Sequence, residues 1–592
     1  MLFLDIECYS NYFLISFLHH KTGKVAAFEL HDTQPLQIDA IKKLMNNYTT
    51  VSFNGLSYDL PMITAALKGF SNARLKVLSD SIIKSNLPSW RVCKEHNIFV
   101  PKSWDHIDLI EVAPGQASLK IYGGRMNAPK MQDLPLEPDA IIQPEQFELM
   151  REYCANDLRT TQMLYEKLSQ QIALRQSMSE QYGVDLRSKS DAQIAETVIK
   201  SELTKLTGNE YRAEQYPDNA VFHYHDPQFI EYRSPTLKTI FDRIIATEFT
   251  LGGNGSIAMP DWLKDTKIKI GRTDYQMGIG GLHSCEKSQY VVADENTVLR
   301  DCDVSSYYPS IILQQKLSPK AMGKDFITIY QSIVSRRIEA KHRGDKVTAD
   351  TLKICVNGSF GKLGSMYSAL YAPELLIQTT LTGQLALLML IEKLEENGIS
   401  VVSANTDGIV SSIPKDKERV YNEICFDWML TTSYELEFTD YKAVASRDVN
   451  NYIAVKTDGK IKRKGVFAET GLSKNPDATI IFEAVAECVA NGAPIEQTIT
   501  QCKDITKFVK VRRVQGGAVW RDAVLGKAVR FYYSSEVNND ECIRYAKNSN
   551  KVPKSNGARP LMDLPDVFPS DVNYQVYIDE ANELLKEVGF HA

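Results

Sequence analysis

Two short apolar runs in this chain carry pairs of carboxylates at a period of two. LFLDIEC contains Asp5 and Glu7, and VLRDCDV contains Asp301 and Asp303. Successive side chains of a β-strand point to opposite faces, so residues two apart share a face. Each run therefore predicts a strand that presents two acidic groups on one side. A single acidic pair is weak evidence of a site, because short motifs match by chance.

The length of the chain excludes a fold built around one hydrophobic core. A chain of 592 residues predicts several domains. The composition, 43% apolar and 24% charged, is typical of globular proteins. Residues 1–170 alternate short apolar runs with helical periods and predict an α/β domain. Later segments mix strands and helices, so the expected fold class is α/β and α+β multidomain.

Charge is distributed unevenly along the chain. The net charge is −6, but residues 441–530 hold 16 basic and 9 acidic residues, and residues 331–362 hold 7 basic and 3 acidic residues. Local basic stretches suit contact with a phosphate backbone, although solvated faces give the same counts.

Ten cysteines without a Cys-x-x-Cys pair indicate free thiols in a reducing compartment and argue against structural zinc.

Targeting signals are not evident in the sequence. The start, MLFLDIECYS, lacks the basic region of a signal peptide, and no apolar run is expected to be long enough to span a bilayer. We therefore expect a cytoplasmic protein, located in the host cell cytoplasm if it is viral, with no membrane partner.

Periodicity predicts the main elements around the acidic pairs. A long helix is expected over residues 143–176, and the segment 265–313 is expected to be rich in strands. Two helices separated by a short polar turn are expected at 326–344 and 348–361. Further elements are expected in the last part of the chain, namely helices at 479–491, 496–508 and 574–588 and a basic strand pair around VRRVQGGAVW.

Further carboxylates accompany the first acidic pair. VSFNGLSYDL places Asn54 and Asp59 at a strand end and a helix start, where Asp59 also suits an ordinary N-cap. Tyr153 and Asp157 are four residues apart and share a helix face. Four carboxylates from a strand, a loop and a helix suit two divalent cations, which prefer oxygen ligands. Asp108 in HIDLI is a weaker candidate, since a strand-end turn explains it equally well.

These segments resemble the DnaQ-like exonucleases. The patterns DIE at 5–7, NxxxYD at 54–59 and YxxxD at 153–157 match the three motifs of that family in order and spacing. The tyrosine version is the form fused to DNA polymerases. The resemblance implies a ribonuclease H-like fold, 3′→5′ exonuclease activity and orientation of the attacking water by Tyr153. The metal ligands that it implies are Asp5, Glu7, Asp59 and Asp157.

The second acidic pair is followed by a hairpin signal. In VVSANTDGIVSSI, two β-branched runs flank Asn405, Thr406, Asp407 and Gly408, which places Asp407 at the hairpin tip. An Asp-Gly pair also simply makes such a turn. Strand spacing alone does not choose between the two aspartates of the second pair as the partner of Asp407.

Two predicted helices lie between that pair and the hairpin. Arg337 and Lys341 share one helix face, and Lys353 and Asn357 share another. A nucleoside triphosphate carries about four negative charges and needs such cations, although two solvated amphipathic faces give the same pattern. The glycines that follow Asn357, at 358 and 361, suggest the close approach of a partner such as a base.

The order of these segments resembles the palm and fingers motifs of family B DNA polymerases. Residues 303–310 are similar to motif A, 353–361 to motif B and 405–407 to motif C, and NNYIAVKTDGKIKRKG is similar to the segment that grips the primer terminus. The resemblance implies a right-hand fold with palm, fingers and thumb. It also implies DNA-directed DNA synthesis from dNTPs with two Mg²⁺ (or Mn²⁺) ions per active site.

Roles for individual residues follow from the same resemblance. Asp303, rather than Asp301, would be a metal ligand with Asp407, and the main-chain carbonyl of Val304 would reach the metal. Tyr308 would stack under the incoming sugar and exclude a 2′-hydroxyl. The nucleotide would be held by Arg337, Lys341, Lys353 and Asn357, and the primer terminus by Tyr452 and Lys464.

Several positions depart from the family pattern. Motif C of the family usually reads Asp-Thr-Asp, whereas this chain has Asn405 first. The lysine expected two residues before Tyr452 is Asn450. Gly358 stands where serine is common, and Phe360 where tyrosine is common. These changes affect the primer grip and the nucleotide pocket rather than the reaction itself.

The resemblance also implies a domain order. The ranges are 1–175 for the exonuclease, 176–300 for a connecting and N-terminal palm region, 301–325 for palm, 326–362 for fingers, 363–470 for palm and 471–592 for thumb.

The biological setting is inferred from spacing and absent motifs. The short stretches between motif A and the first fingers helix, and between motifs B and C, leave no room for the insertions of protein-primed relatives. An ordinary nucleic-acid primer is therefore expected. No nucleotide-hydrolysing P-loop motif occurs, so a separate helicase, primase and single-strand-binding protein are expected partners of a bacteriophage-like replication enzyme. The alternatives are an exonuclease with a degenerate polymerase scaffold and a single-strand-binding accessory protein without activity.

Overall fold

The computed structural model describes residues 1–590, which form two compact units. Each unit mixes helices and strands, in agreement with the expected mixed α/β multidomain class. The first unit comprises Met1–Ser190, Thr470–Ile480 and Thr500–Tyr577, and the second comprises Asp191–Glu469, Ile481–Ile499 and the segment from Ile578 onwards.

The chain up to residue 190 forms five strands and seven helices. The elements are β1 (Leu2–Cys8), β2 (Phe13–His19), β3 (Val25–Leu30), α1 (Ile38–Asn47), β4 (Thr50–Ser52), α2 (Asp59–Leu67), α3 (Asn72–Lys84), α4 (Ser89–Glu95), β5 (His106–Asp108), α5 (Leu119–Arg125), α6 (Phe147–Lys167) and α7 (Ser169–Tyr182).

The five strands form one mixed sheet in the order β3-β2-β1-β4-β5. The first three strands pair antiparallel, whereas β4 and β5 run parallel to β1. Apolar side chains of β1 pack on both faces of the sheet: Leu4 and Ile6 on one side, Phe3 on the other. A strand buried on both faces reads as a nearly continuous apolar run, which explains LFLDIEC. The central position of β1 places its two carboxylates in the interior of the unit.

The chain from residue 191 to 469 forms eight helices and twelve strands. The elements are α8 (Asp191–Thr207), β6 (Val221–Phe222), α9 (Pro235–Ile245), β7 (Phe249–Thr250), α10 (Asp261–Lys264), β8 (Lys267–Ile270), β9 (Thr273–Met277), β10 (Leu282–Ser284), β11 (Gln289–Val292), β12 (Thr297–Val304), α11 (Tyr307–Gln314), α12 (Gly323–His342), α13 (Lys346–Lys362), α14 (Pro373–Glu396), β13 (Ser400–Asn405), β14 (Gly408–Pro414), α15 (Glu418–Thr432), β15 (Leu436–Asp448), β16 (Asn451–Lys456) and β17 (Ile461–Arg463).

Ten of these strands form the main sheet of the second unit, in the order β17-β16-β15-β12-β14-β13-β10-β9-β8, with β11 also paired to β15. Every described pairing in this sheet is antiparallel. The helices α11, α14 and α15 contribute to the large apolar core of the unit, for example through Ile311, Leu385 and Trp428. The sheet brings the two predicted halves of the second acidic site onto neighbouring strands.

Helix α14 is long and apolar enough to cross a membrane by length and composition, and 83% of its most apolar window is buried inside the protein. The expectation that no apolar run has this length is therefore wrong for α14. Leu381, Leu385 and Leu388 are fully buried in the core of the second unit. Burial of this kind is typical of a core helix.

The remaining elements are α16 (Thr479–Asn491), α17 (Ile495–Gln501), β18 (Lys510–Trp520), β19 (Ala523–Tyr533), β20 (Arg544–Tyr545), β21 (Ala558–Pro560) and α18 (Tyr574–Glu587). The four strands form a sheet in the order β20-β18-β19-β21 within the first unit. The buried Arg530 of β19 joins distant parts of that unit, because its guanidinium donates to the carbonyls of Ala128 at 2.8 Å and Leu561 at 2.7 Å.

Several predicted helix ends differ from those in the structure. The helix expected over 143–176 is two helices, α6 and α7, separated at Leu168. The boundary expected at residue 175 therefore falls inside α7. The residues of the expected thumb range, 471–592, belong partly to the first unit and partly to the second. The expected helix at 496–508 ends early, at Gln501, whereas the helices expected at 326–344, 348–361 and 479–491 are present as α12, α13 and α16.

Candidate active sites

The first acidic cluster lies in the first unit and is assembled from three elements. Asp5 and Glu7 come from the central strand β1, Asp59 is the first residue of α2, and Asp157 lies on α6. Tyr153 lies one helical turn before Asp157. The charge of Asp5 acts on Asp59, and the charge of Asp157 acts on Asp5, so the carboxylates are neighbours. The structure thus brings together the residues that the sequence predicts for this site.

Burial and mutual repulsion disfavour ionisation of these carboxyls. Burial raises the pKa of Asp5 to about 7, and the charge of Asp157 adds to the effect. Burial and then the charge of Asp5 hold the pKa of Glu7 and of Asp59 well above their usual range. A cluster of acids that cannot all ionise unaided is a cluster that a cation would stabilise.

Cys154 is a further member of this cluster, and no sequence motif marks it as a candidate site residue. Ligand atoms of Asp5, Glu7 and Cys154 lie within 4.8 Å of one another. The Cys154 thiol donates a hydrogen bond to Asp5 Oδ2 at 3.4 Å. Burial raises the pKa of Cys154 well above its usual range, which agrees with a neutral thiol that donates to the carboxylate.

Lys120 is the cation that the structure places in the first cluster. Its ammonium donates to Asp157 Oδ1 and lies 4.3 Å from the ring centre of Tyr153. The charge of Lys120 opposes the burial that raises the pKa of Asp157. The sequence contains no signal for this contact, because Lys120 belongs to the short helix α5 and reaches α6 only through the tertiary fold.

Local contacts bear on two alternative interpretations of the acidic residues. Tyr58 is the N-cap of α2 and makes no side-chain capping bond, and Asp59 is the first residue of the helix. Asp108 accepts hydrogen bonds from the main-chain N–H groups of Asn54 at 2.7 Å, Leu56 at 2.9 Å and Ile110 at 3.1 Å. Asp108 therefore holds the loop before α2, which is a structural role.

The second acidic site lies in the second unit, where three antiparallel strands meet. Asp303 at the end of β12 is opposite Gly408 of β14, directly after Asp407 in the chain. The N–H of Val304 donates to the main-chain oxygen of Asp407 at 2.7 Å. Asp303 and Asp407 line one open cleft, together with Asn405. The turn between β13 and β14 contains the left-handed residue Thr406, with φ of 55°.

Exposure distinguishes the two aspartates of β12. The side chain of Asp301 is 6% exposed and accepts a hydrogen bond from Lys462 Nζ at 2.9 Å, whereas the side chain of Asp303 is 48% exposed. Tyr441 also donates to Asp301. Asp301 is therefore occupied by protein partners, and Asp303 is the carboxylate available to a ligand.

Opposing effects act on the pKa values of Asp303 and Asp407. Burial, followed by the charge of Asp301, raises the pKa of Asp303 to about 6, while Lys462 and Lys464 oppose the shift. Burial also raises the pKa of Asp407, and Lys464 opposes it. Both predicted ligands therefore favour a bound cation at neutral pH.

Cations of the first predicted fingers helix reach the strand segment that carries Asp303. Arg337 Nη1 of α12 donates to Ser306 Oγ at 2.8 Å. Lys341 Nζ lies 3.7 Å from Glu437, which is opposite Asp303 in the pairing of β12 with β15. On α13, Lys353 and Asn357 are exposed. The structure therefore places two of the four predicted nucleotide-binding residues beside motif A and leaves the other two on a solvent-facing surface.

The glycines of α13 have a different explanation from the one expected. A Cβ at Gly358 would lie 2.8 Å from the Cβ of Ala195 and from the main-chain oxygen of Asp191. The partner that approaches Gly358 is therefore α8, not a base. Gly361 is open, with no described heavy atom within 4 Å of its Cβ position outside its own helix and chain neighbours.

Tyr308, the residue predicted to stack under the incoming sugar, lies in an aromatic stack. Its ring packs on Phe360 of α13, with centroids 4.2 Å apart and an angle of 23° between the planes. The Tyr308 hydroxyl donates to the main-chain oxygen of Gly280. The Tyr308 ring is thus held by two contacts. It connects the motif A segment with the motif B helix.

The predicted primer grip lines the acidic cleft. Tyr452 and Lys464 are among its lining residues, and so is Lys462, which the sequence prediction omitted. Lys462 and Lys464 are two residues apart in IKRKG, so the period of two could have indicated a shared face. Asn405 Nδ2 donates to Asn450 Oδ1 at 3.3 Å, so two positions that depart from the family pattern are in contact.

Both acidic sites suit hard divalent cations. Their donor atoms are carboxylate oxygens, which Mg²⁺ and Mn²⁺ prefer, and burial raises the pKa of the carboxyls in each site. Each site also carries a lysine beside a carboxylate, Lys120 in the first and Lys462 in the second.

Two comparisons with known proteins found similarity to DNA polymerases. DNA polymerase 1 of Saccharolobus solfataricus is 30% identical over 126 residues, which are 21% of this chain and 14% of that protein. The matched region is therefore a small part of the relative's length. Among solved structures, the family B DNA polymerase from the hyperthermophilic archaeon Pyrobaculum calidifontis is similar with a TM-score of 0.41 and 13% identity, covering 99% of this chain and 77% of that chain. No protein-family model matches the chain.

Proposed function

We propose that this chain is a family B DNA polymerase that extends a nucleic-acid primer on a DNA template and proofreads with a 3′→5′ exonuclease. The observation that carries the proposal is the convergence of Asp303 and Asp407 in one cleft. They come from distant parts of the chain and match motifs A and C. The partial identity to DNA polymerase 1 of S. solfataricus supports the same assignment.

The exonuclease assignment is supported by the first acidic cluster. Its four carboxylates come from a central strand, a helix start and a second helix, as the three matched motifs require. Tyr153 lies on the same helix as Asp157, and its ring contacts the ammonium of Lys120 in the cluster. We assign the mixed sheet and its helices, over residues 1–175, to a ribonuclease H-like exonuclease domain.

The remaining domains are proposals of the same kind. The antiparallel sheet that carries Asp303 and Asp407 suits the palm, and the antiparallel pair α12 and α13 suits the fingers. The proposed ranges are 176–300 for the connecting and N-terminal palm region, 301–325 and 363–470 for palm, 326–362 for fingers and 471–592 for thumb.

Two Mg²⁺ or Mn²⁺ ions per site would be held by Asp303, Asp407 and the carbonyl of Val304 in the palm, and by Asp5, Glu7, Asp59 and Asp157 in the exonuclease. When bound, such ions lower the pKa of an attacking hydroxyl or water and stabilise the leaving oxygen. The protein would supply the rest. Tyr308 would stack under the incoming sugar, which its packing on Phe360 supports. The triphosphate would be held by Arg337, Lys341, Lys353 and Asn357, and the contacts of the first two beside motif A support this.

A primer-extension assay with a labelled primer, a DNA template, four dNTPs and Mg²⁺ tests the synthetic role. Asp303→Ala should lower extension by at least about 10³-fold, equivalent to several kcal/mol of lost transition-state stabilisation, and leave degradation of single-stranded DNA intact. The double change Asp5→Ala with Glu7→Ala should do the opposite. Asp458→Asn, an exposed acid on the turn between β16 and β17, is the matched control. An Asp303→Ala protein that still extends primers would refute the palm assignment.

A second candidate function is an exonuclease with an inactive polymerase scaffold. Asn405 favours it, because the first acid of motif C is missing. The same primer-extension assay separates the two candidates: a wild-type protein that degrades single strands but never lengthens a primer would favour the scaffold.

The proposed setting is replication of a bacteriophage genome in the host cytoplasm. The compact spacing between motifs A, B and C supports a DNA-primed enzyme. A separate helicase, primase and single-strand-binding protein would complete the replication machinery, since the sequence contains no P-loop motif.

A further inference from the structure

A buried ion pair lies in the wall of the palm cleft. Lys462 of β17 extends to Asp301 of β12 and Tyr441 of β15. Asp301 is 4% exposed, and its carboxylate also accepts from the Tyr441 hydroxyl. A half-buried ammonium in this position is fixed by two hydrogen-bonding partners rather than moving freely at the end of a flexible chain.

The direction of the ammonium follows from its donors. A lysine ammonium has three N–H groups. Two are directed to Asp301 at 2.9 Å and Tyr441 at 3.1 Å. On the cleft side, Lys462 Nζ lies 4.0 Å from Asp303 Oδ2 and beside the side chain of Tyr452. Lys462 thus places its positive charge in the wall of the cleft, next to Asp303.

The cleft carries no charge at two lining positions where the sequence departs from the family pattern. Asn405 Nδ2 donates to Asn450 Oδ1 at 3.3 Å and to the main-chain oxygen of Val449 at 3.1 Å. The lysines that line the cleft are Lys462 and Lys464. Fixed positive charge near Asp303 and Asp407 is therefore supplied from β17 and the residue that follows it.

We propose that Lys462 binds a phosphate of the primer strand next to its 3′ end, and that Asp301 and Tyr441 are positioning residues that hold its ammonium for this contact. This inference rests on the proposed polymerase function. A lysine is a point-charge ligand for phosphate, and the primer end must lie beside Asp303 for its hydroxyl to react. The ion pair with Asp301 fixes the place of the ammonium in the cleft wall.

The test measures DNA binding without catalysis. Fluorescence anisotropy of a labelled primer–template duplex in EDTA gives the association constant across a series of salt concentrations. Lys462→Met should weaken binding about tenfold at low salt and reduce the slope of log K against log salt by about 0.9, the value of one lost phosphate contact. Lys460→Met is the matched control, because Lys460 is exposed on the turn of the same hairpin, and it should leave the slope within error.

The positioning role has its own readout. Asp301→Asn and Tyr441→Phe should each raise KM for the primer–template several-fold, with kcat for extension lowered less. Lys462→Arg, which keeps the charge, should retain the salt slope. In the background of Lys462→Met, Asp301→Asn should weaken DNA binding no further, because residues that act through one another are not additive. A purely structural role for Asp301 would instead lower stability in both backgrounds equally.

Two outcomes would overturn the inference. One is an unchanged salt slope and DNA affinity in Lys462→Met. The other is a change only in the Mg²⁺ concentration that extension needs, which would make Lys462 a modifier of the metal site. Failure of the proposed function is distinguishable, since it would appear as a wild-type protein that binds the duplex but does not extend the primer.

Discussion

Asp303 lies directly opposite Gly408 across the pairing of β12 with β14, and its carboxylate Oδ1 occupies the space that a Cβ at position 408 would need. The glycine after Asp407 therefore has a second role beyond making a turn. Its missing side chain leaves room for the carboxylate of Asp303, which brings the two predicted metal ligands to the same end of the sheet.

Gly408→Ala should impair DNA synthesis without unfolding the protein. The added methyl group would displace the Asp303 carboxylate, and a displacement of about 1 Å at a reacting centre costs about 10²-fold in rate. Extension rates under saturating dNTP measure the effect, and degradation of single-stranded DNA should be unchanged. Gly253→Ala is the control, because no described atom lies within 4 Å of its Cβ position. Wild-type extension by Gly408→Ala would show that Asp303 need not hold this position.

Tyr308 should discriminate against ribonucleotides. Its ring is held by Phe360 and by the hydrogen bond to Gly280, so Tyr308→Ala removes a fixed aromatic ring that would block a 2′-hydroxyl. We expect the ratio of kcat/KM for dNTP over rNTP to fall by about 10²-fold, the usual scale for a steric pocket. Tyr308→Phe keeps the ring and loses only the hydroxyl, so it should retain discrimination. Equal discrimination by Tyr308→Ala and the wild type would place the sugar elsewhere.

Local pattern predicted the elements that carry the acidic residues. The period of two identified β1 and β12, and helical spacing identified α12, α13 and α16, because these signals depend on near neighbours in the sequence. The pairing of Asp303 with Asp407 was also expected, but only through the family resemblance. Spacing alone left Asp301 and Asp303 equivalent, and the difference between them is the presence of Lys462 and Tyr441 around Asp301.

Contacts between distant segments were not accessible from the sequence. Lys120 meets Asp157, and Arg530 meets the carbonyl of Ala128, only after the chain folds. Gly358 is a similar case. A glycine at this point of a predicted helix suggests the approach of a ligand, but the neighbouring helix α8 occupies the space beside it.

Lys120→Met should weaken the exonuclease and leave primer extension intact. Lys120 partly offsets the burial of Asp157, so its loss raises the pKa of that carboxyl further and moves the acidic limb of the pH–rate profile to higher pH. Losing the charged partner of a buried group costs about 1–3 kcal/mol, or about 10–100-fold in the rate of single-strand degradation at neutral pH. Lys94→Met, an exposed change on α4, is the control. A pH profile identical to that of the wild type would refute this role.

The first acidic cluster should make the metal-free protein less stable as pH rises. An acid whose pKa is higher in the folded protein than in the unfolded chain contributes stability at low pH, and that contribution is lost as pH rises through the folded pKa. Burial raises the pKa of Asp5 from 3.8 to about 7, so the loss falls between about pH 4 and pH 7. Divalent ions that bind the carboxylates of the folded state should restore stability above this range.

Thermal unfolding in EDTA at pH 5 and pH 7.5 measures this effect through the transition of the unit that holds the cluster. We expect Tm to fall between the two pH values by a few degrees more in the wild type than in Asp5→Asn, at about 2–4 °C per kcal/mol. Mg²⁺ or Mn²⁺ at pH 7.5 should raise Tm of the wild type and have a smaller effect on Asp5→Asn. Glu145→Gln, at an exposed position before α6, should behave as the wild type. If Asp5→Asn and the wild type respond to pH and metal alike, Asp5 titrates as an ordinary surface acid, and the cation-binding assignment of this cluster fails with it.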